Sequence, residues 1–441
     1  MKLRNLLFGT MIACAFVACS NDDDPTVGPE NPTTGDVKTT IAFAVKGPDT
    51  KTKAQQTSAE EAVKSLRVIL YTAEGKYVAS TAAEAKEDAV DDKREVEFSD
   101  LRLPDGVTSY KVLAIANLST TFSDDVAATL PAIEQGAPFG TANAAIADAG
   151  LPMSSGVSEA FDVVLGKANY YGYKGVEGIV SNEEVNNIGT DPLPLIRNVA
   201  RVDLKKVTLD LNASSKEPNY TTINASVELQ GAFILHARTK AAAADLTSTP
   251  NWWNSTSGVW GTIAAKYTSA TEELMSGVGS FENEVGATNA VYNKGITGTI
   301  SQTTTAPAST DLSNISFYIL ENDQTSASRE LVDKTKSHEY ATELVIQGKY
   351  KVENAVNSNG TYKYAEAVRY WPIKIGIDNK SELTGAGTGS VHRNYIYTIE
   401  NATIAGPGMK DPTKPEPDAL QLFVRTKVTD WGSVNQDPVI E

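Results

Sequence analysis

The chain has 441 residues and a formal net charge of −16. That length holds two domains of ordinary size, and the charge argues against nucleic acid or an anionic membrane surface as a partner. Both cysteines fall within the first 19 residues, so disulfides and thiol catalysis are excluded from the rest of the chain.

Lys2 and Arg4 make a short positive region, and Leu6 to Val17 an apolar run interrupted by Gly9 and Thr10. Ala18-Cys19 closes it, and Ser20-Asn21-Asp22-Asp23-Asp24 follows. The run is too short, and too abruptly polar afterwards, to span a membrane; residues 1–18 read as a signal peptide. A small residue directly before a cysteine resembles the processing site of bacterial lipoproteins, which implies lipidation (palmitate) at Cys19 and an outer-membrane anchor. The acidic tract resembles the export signal of Bacteroidetes surface lipoproteins. Residues 19–36 are rich in Asp, Pro, Thr and Gly and read as an acidic flexible tether.

From there the dominant pattern is period-2 alternation. Thr39, Ile41, Phe43 and Val45 define a first strand over Lys38–Lys46. Val63–Tyr71 is a second, turning at Ala73-Glu74-Gly75 into a return strand near Tyr77-Val78. Tyr110–Ala116 is almost continuously apolar, as in a strand covered on both faces. Further strands are expected at Phe161–Leu165, Arg201–Leu211, Val227–Leu235, Ile315–Leu320, Glu343–Ile346, Tyr395–Ile404 and Leu420–Val428. Helical periodicity is scarce, and Pro131, Gly136 and Gly140 fragment the alanine-rich stretch 127–149. The fold class is mostly β, two sandwiches in series, with a boundary near Asp191–Pro194.

No catalytic constellation is legible. Gly277-Val278-Gly279 and Gly385-Ala386-Gly387-Thr388-Gly389 match neither a dinucleotide fingerprint nor a phosphate loop and read as turns. His236, His338 and His392 lack metal-ligand spacing, and no nucleophile elbow is present. The chain is expected not to be an enzyme and to need no cofactor or metal. Trp252-Trp253-Asn254 and Trp260 could stack sugars or pack within a loop.

Several ordered motifs resemble the fimbrillins (FimA-like), the shaft subunits of type V pili of Bacteroidetes. They are Thr52-Lys53-Ala54, Tyr110–Asn117, Leu151-Pro152-Met153-Ser154, Ile196–Val202, Phe317–Asn322, Tyr370-Trp371-Pro372-Ile373 and Arg393–Tyr397. Gly406-Pro407-Gly408 and the closing Asp430-Trp431 complete the series. The resemblance implies two transthyretin-like Greek-key sandwiches, over 37–195 and 196–418, and a donor-strand segment over 419–441. It also implies a cell-surface fimbrium, in which a trypsin-like extracellular protease removes the first strand and a neighbouring subunit's C-terminal strand refills the groove. The polymer would be a head-to-tail homopolymer meeting accessory and anchor subunits.

The residues fit that scheme. The loop 47–57 is polar and carries Lys53, the first choice for cleavage before Ala54, and Lys51, the second; exposed loops of this kind are where nicking concentrates. It holds no arginine, and Arg67 lies within a predicted strand. At the C-terminal end Leu420, Leu422, Val424, Thr426 and Val428 share one face, with Trp431 beyond, and Pro412, Pro415 and Pro417 form a stiff lead. Whether this strand exchanges, or completes its own domain while only Val434–Glu441 exchanges, stays open. The alternative function is an accessory or tip subunit, or a surface adhesin binding a glycan or host protein.

Overall fold

The structure is a computed structural model. It describes residues 34–46, 60, 62–84, 93–117, 132–134, 150–176, 178–213, 219–235, 240–242, 293–313, 315–320, 342–375, 391, 393–412 and 422–430. The strands up to residue 197 are β1 (Thr34–Lys46), β2 (Ser65–Thr72), β3 (Tyr77–Glu84), β4 (Lys93–Pro104), β5 (Ser109–Ala116), β6 (Ala132–Glu134), β7 (Met153–Val157), β8 (Phe161–Asp162), β9 (Ala168–Tyr171), β10 (Val185–Asn187), β11 (Leu193–Pro194) and β12 (Ile196–Arg197). Then follow β13 (Val199–Leu204), β14 (Lys206–Leu209), β15 (Thr222–Leu235), β16 (Lys240–Ala242), β17 (Asn293–Lys294), β18 (Gly298–Gln302), β19 (Ala308–Asp311), β20 (Ser316–Leu320), β21 (Glu343–Asn357), β22 (Gly360–Lys374), β23 (Tyr395–Ile404) and β24 (Leu422–Asp430). The fold is mostly β, with a 3-10 turn over Leu211–Ala213.

Four larger sheets form two facing pairs. In the first pair, one sheet runs β10-β9-β1-β11 with β4 on the far side of β1, and the other runs β12-β7-β5-β2-β3 with β8 against β5. Ile41, Phe43 and Val45 from one face meet Val68, Leu70, Val112 and Leu113 from the other in a single apolar core. Phe43 is the hub, with Phe98, Phe161 and Tyr171 around it at ring separations of 5.8, 6.0 and 5.8 Å. In the second pair, a sheet ordered β19-β14-β23-β13-β20 carries β24 against β23, and it faces β17-β15-β21-β22 with β18 against β15. Val202, Phe317, Tyr350 and Ile399 fill that core around Trp371.

The observed strands extend the sequence reading where pairing holds residues that alternation leaves ambiguous. β1 starts at Thr34 because that residue still pairs with Pro104. β21 continues past Ile346 to Asn357, its alternation broken by register shifts around Val352. The expected strand Arg201–Leu211 is two, β13 and β14, which abut β23 in succession. Gly408 is a position where a glycine is required: at φ +71°, a Cβ there would lie 2.6 Å from Trp371 Nε1. That close approach lets Trp371 Nε1 donate to Gly406 O at 3.1 Å, while Tyr370 and Met409 exchange two backbone hydrogen bonds.

Candidate functional site

The first strand is an interior strand. Along one edge β1 runs antiparallel to β4, with Ile41 opposite Phe98 and Phe43 opposite Val96. Along the other it runs parallel to β9 over Thr40–Phe43 and to β11 over Val45–Lys46. Ile41, Phe43 and Val45 have no exposed surface, and burying such side chains contributes roughly 1.5–3 kcal/mol each. Asn169, itself fully buried, holds the strand from the side. Its Nδ2 donates to Thr40 O at 3.2 Å and to Lys167 O at 2.9 Å, and its Oδ1 accepts from Val164 N–H and Asn186 Nδ2. Taking β1 away would therefore leave a slot with two unpaired edges and a hollow where Phe43 had been.

Chain continuity after the slot is fixed by a second group of residues. Asn117 has φ 59°, a conformation asparagine tolerates. Its Oδ1 accepts from Lys64 N–H at 2.7 Å and Ser65 N–H at 3.2 Å, and its Nδ2 donates to Ala62 O and Leu151 O, both at 2.7 Å. Upstream of it, Glu60 is completely buried. Arg201 Nη1 donates to both Glu60 oxygens at 2.9 and 3.1 Å, and Tyr318 Oη donates to Oε1 at 2.6 Å. Arg197 Nε donates to the Glu60 carbonyl at 3.0 Å. The other side of the Arg201 fork meets Asp203 Oδ2 at 2.9 and 3.2 Å, and Ser316 Oγ donates to Asp203 Oδ1. Burial alone would pull the Arg201 guanidinium down, but Asp203 and Glu60 outweigh it and hold the charge in place. Burial, reinforced by the Glu60 charge, pushes the Tyr318 hydroxyl far above its usual range, so it stays a donor. Nearby, Asn198 Oδ1 accepts from Arg393 Nη1 at 2.8 Å and from Ser154 Oγ at 2.9 Å.

This cluster joins the two pairs of sheets. Val199, Tyr318, Leu320 and Ile396 come from strands of the second pair yet pack in the first core. The polar network lies beside them, so the two pairs share apolar and ionic contacts. An unpaired charge at such depth would be costly, and every buried charge described here has a partner.

β24 occupies the edge of its sheet, antiparallel to β23, with Val428 opposite Tyr397 and Val424 opposite Ala402. Leu422 and Val424 pack half-buried on the second core, and Phe423 on the opposite face is 47% exposed. Thr426 and Val428 lie in the same strand, opposite Ile399 and Tyr397. Cys19, Lys51, Lys53, Ala54, Leu420, Trp431, the tryptophans at 252, 253 and 260, and the three histidines lie outside the described residues. Among the described residues no group of His, Cys, Asp and Glu could hold a metal, and no helix is long and apolar enough to cross a membrane.

Sequence reasoning missed Glu60, Asn169 and the stretch around Tyr173. For Glu60 a signal existed: Arg197 and Arg201 stand among the apolar residues Ile196, Val199, Ala200 and Val202, and arginines there require buried acidic or carbonyl partners.

Residues 38–197, nearly the whole of the first pair of sheets, match the family described as major fimbrial subunit protein (FimA). A curated relative, the major fimbrium subunit FimA type-5 of Porphyromonas gingivalis, is 32% identical over 81 residues, which is 18% of this chain. That match spans only 20% of the relative's own length. Two solved structures share the fold over 91% of the chain. One is a fimbrilin (FimA) of Porphyromonas gingivalis, with TM-score 0.54, 19% identity and 99% of its own chain covered. The other is a Parabacteroides distasonis protein assigned to cell adhesion, with TM-score 0.55, 18% identity and all of its chain covered.

Proposed function

We propose that the protein is a structural pilin of a surface fimbrium. It is exported as a lipoprotein through Cys19, matured by trypsin-like cleavage between Lys53 and Ala54 (or after Lys51), and polymerised by C-terminal strand exchange. The observation that carries this reading is the position of β1. A strand covered on both edges, with Ile41, Phe43 and Val45 in the core, is followed by a polar lysine-bearing connection. On this reading β1 completes the fold until it is cut away, and its slot then accepts an extended segment from the next subunit. The FimA-family match over 38–197 supports the same reading, because it covers β1 from Lys38 and its whole setting.

The domains are two transthyretin-like Greek-key sandwiches, 37–195 and 196–418, with the donor segment at 419–441. Donating a strand satisfies a row of backbone hydrogen bonds while alternate side chains fill pockets. Leu420, Leu422, Val424, Thr426, Val428 and Trp431 supply the apolar set. Donor and acceptor surfaces differ, so the contact is head-to-tail and open-ended and builds a filament. Accessory and anchor subunits are the expected neighbours at its ends. No enzymatic role is proposed. The reading is tested by digesting purified precursor with a trypsin-like protease. Loss of everything before Ala54, followed by oligomers on size-exclusion chromatography, is the expected result; monomers persisting after complete cleavage would refute it.

A further inference from the structure

We infer that the outer wall of the β1 slot is a size filter that decides which strand the slot accepts. The inference rests on the exchange reading above and adds to it the residues that choose the occupant. Ala42 and Ala44 point away from the first core, yet they are only 7% and 3% exposed. Their cover is Tyr173, 7% exposed, with Tyr170 and Ile179 packed against the same group. The Tyr170 and Tyr173 rings meet edge to face at 5.3 Å and 86°. The stretch that carries them is tied down at both ends. Gly172 N–H donates to Thr190 Oγ1 at 3.2 Å; Lys174 N–H donates to Thr190 O at 3.2 Å and Ile188 N–H to Tyr170 O at 3.0 Å.

The wall is tightest at Ala44. Gly172 has φ +88°, and a Cβ built on it would lie 2.9 Å from Pro192 Cα, 3.0 Å from Ala44 O and 3.2 Å from Ala44 Cβ. Backbone therefore lies directly against the alanine, and a longer side chain at that position has to displace it. The chain's own β24 differs in this respect. Phe423, Arg425 and Lys427 alternate with its apolar set, so turning Leu422, Val424, Thr426 and Val428 inward brings long side chains to the face that β1 fills with alanines. The filter favours β1 over β24, which keeps uncut precursor from polymerising even where C-terminal strands are abundant. β24 enters only after the Tyr173 stretch has moved.

The test uses full-length protein cleaved in the segment after β1 and mixed with fluorescent peptides, with uptake read by anisotropy. The peptides are the Lys38–Lys46 sequence, the same peptide with Ala42→Leu or Ala44→Leu, and the Leu422–Asp430 sequence. The unaltered β1 peptide is expected to exchange in. The two leucine peptides should bind roughly tenfold to a hundredfold more weakly, and the β24 peptide more weakly than the β1 peptide. Tyr173→Ala in the protein should narrow the Ala42→Leu deficit, whereas Tyr173→Phe should not. Equal uptake of alanine and leucine peptides overturns the filter and leaves exchange standing. Uptake of none of them overturns the exchange reading, and the filter with it.

Discussion

At Phe43 the rings of Phe98, Phe161 and Tyr171 converge on one side chain of a single strand. Phe43→Ala should therefore cost about 3–5 kcal/mol of precursor stability, seen as a lower urea midpoint at unchanged m-value. Glu60→Gln strips the charge that balances Arg201 while leaving Asp203 in place. We expect a loss of about 3 kcal/mol, since removing one partner strands the other, and Tyr318→Phe should lose about half as much. A third residue gives a pH dependence. Burial pushes the Glu343 carboxyl from its ordinary 4.5 up to about 7, with Lys374 opposing the shift. Its folded value lies above its unfolded one, so the ionised form disfavours folding. The penalty is absent below the unfolded value, grows as pH rises toward about 7, and is complete above it. Glu343→Gln should thus stabilise the protein near about pH 8, by at most about 3 kcal/mol, and have little effect near about pH 4; thermal melts at the two pH values check it.

Among the elements, β1, β2, β5 and β23 were legible because each alternates, or is apolar throughout, over at least half its length. β4 was not, since Lys93-Arg94-Glu95 opens it and Ser99-Asp100 interrupts the alternation of Val96 and Phe98 with Leu101 and Leu103. β22 hides for another reason: over Gly360–Val368 every position is at least partly exposed, and the alternation of Tyr362 and Tyr364 stops at Ala365-Glu366. β9 and β10 are short and polar, and they are held by the side chain of Asn169, whose bonds to Thr40 and Asn186 no local pattern announces. The junction was half legible: the motifs around Arg197, Tyr318 and Arg393 were seen, but their convergence needs the tertiary fold. At this scale the C-terminal strand gives its own test. Removing residues after Asp418 should abolish assembly of cleaved protein, measured by sedimentation, and should also lower the melting temperature, because Leu422 and Val424 leave the second core.

For the whole molecule, the Glu60 anchor limits what processing can remove. On the proposed maturation, cleavage at Lys53 would free β1 and leave Glu60 clamped by Arg197, Arg201 and Tyr318. N-terminal sequencing of subunits from sheared filaments should therefore begin upstream of Glu60, at Ala54 on the preferred reading; Cys19 still attached would contradict the pilin assignment. The flanking of β1 has one more consequence, which is mechanical. A strand paired along both edges and pulled lengthwise from its Thr34 end is loaded in shear, so its ladder bonds must fail together instead of peeling one by one. Forced separation of this kind is governed by the unfolding rate and not by the equilibrium stability. On the proposed exchange, whichever strand fills the slot would make a joint that resists tension along a filament far better than its modest length suggests.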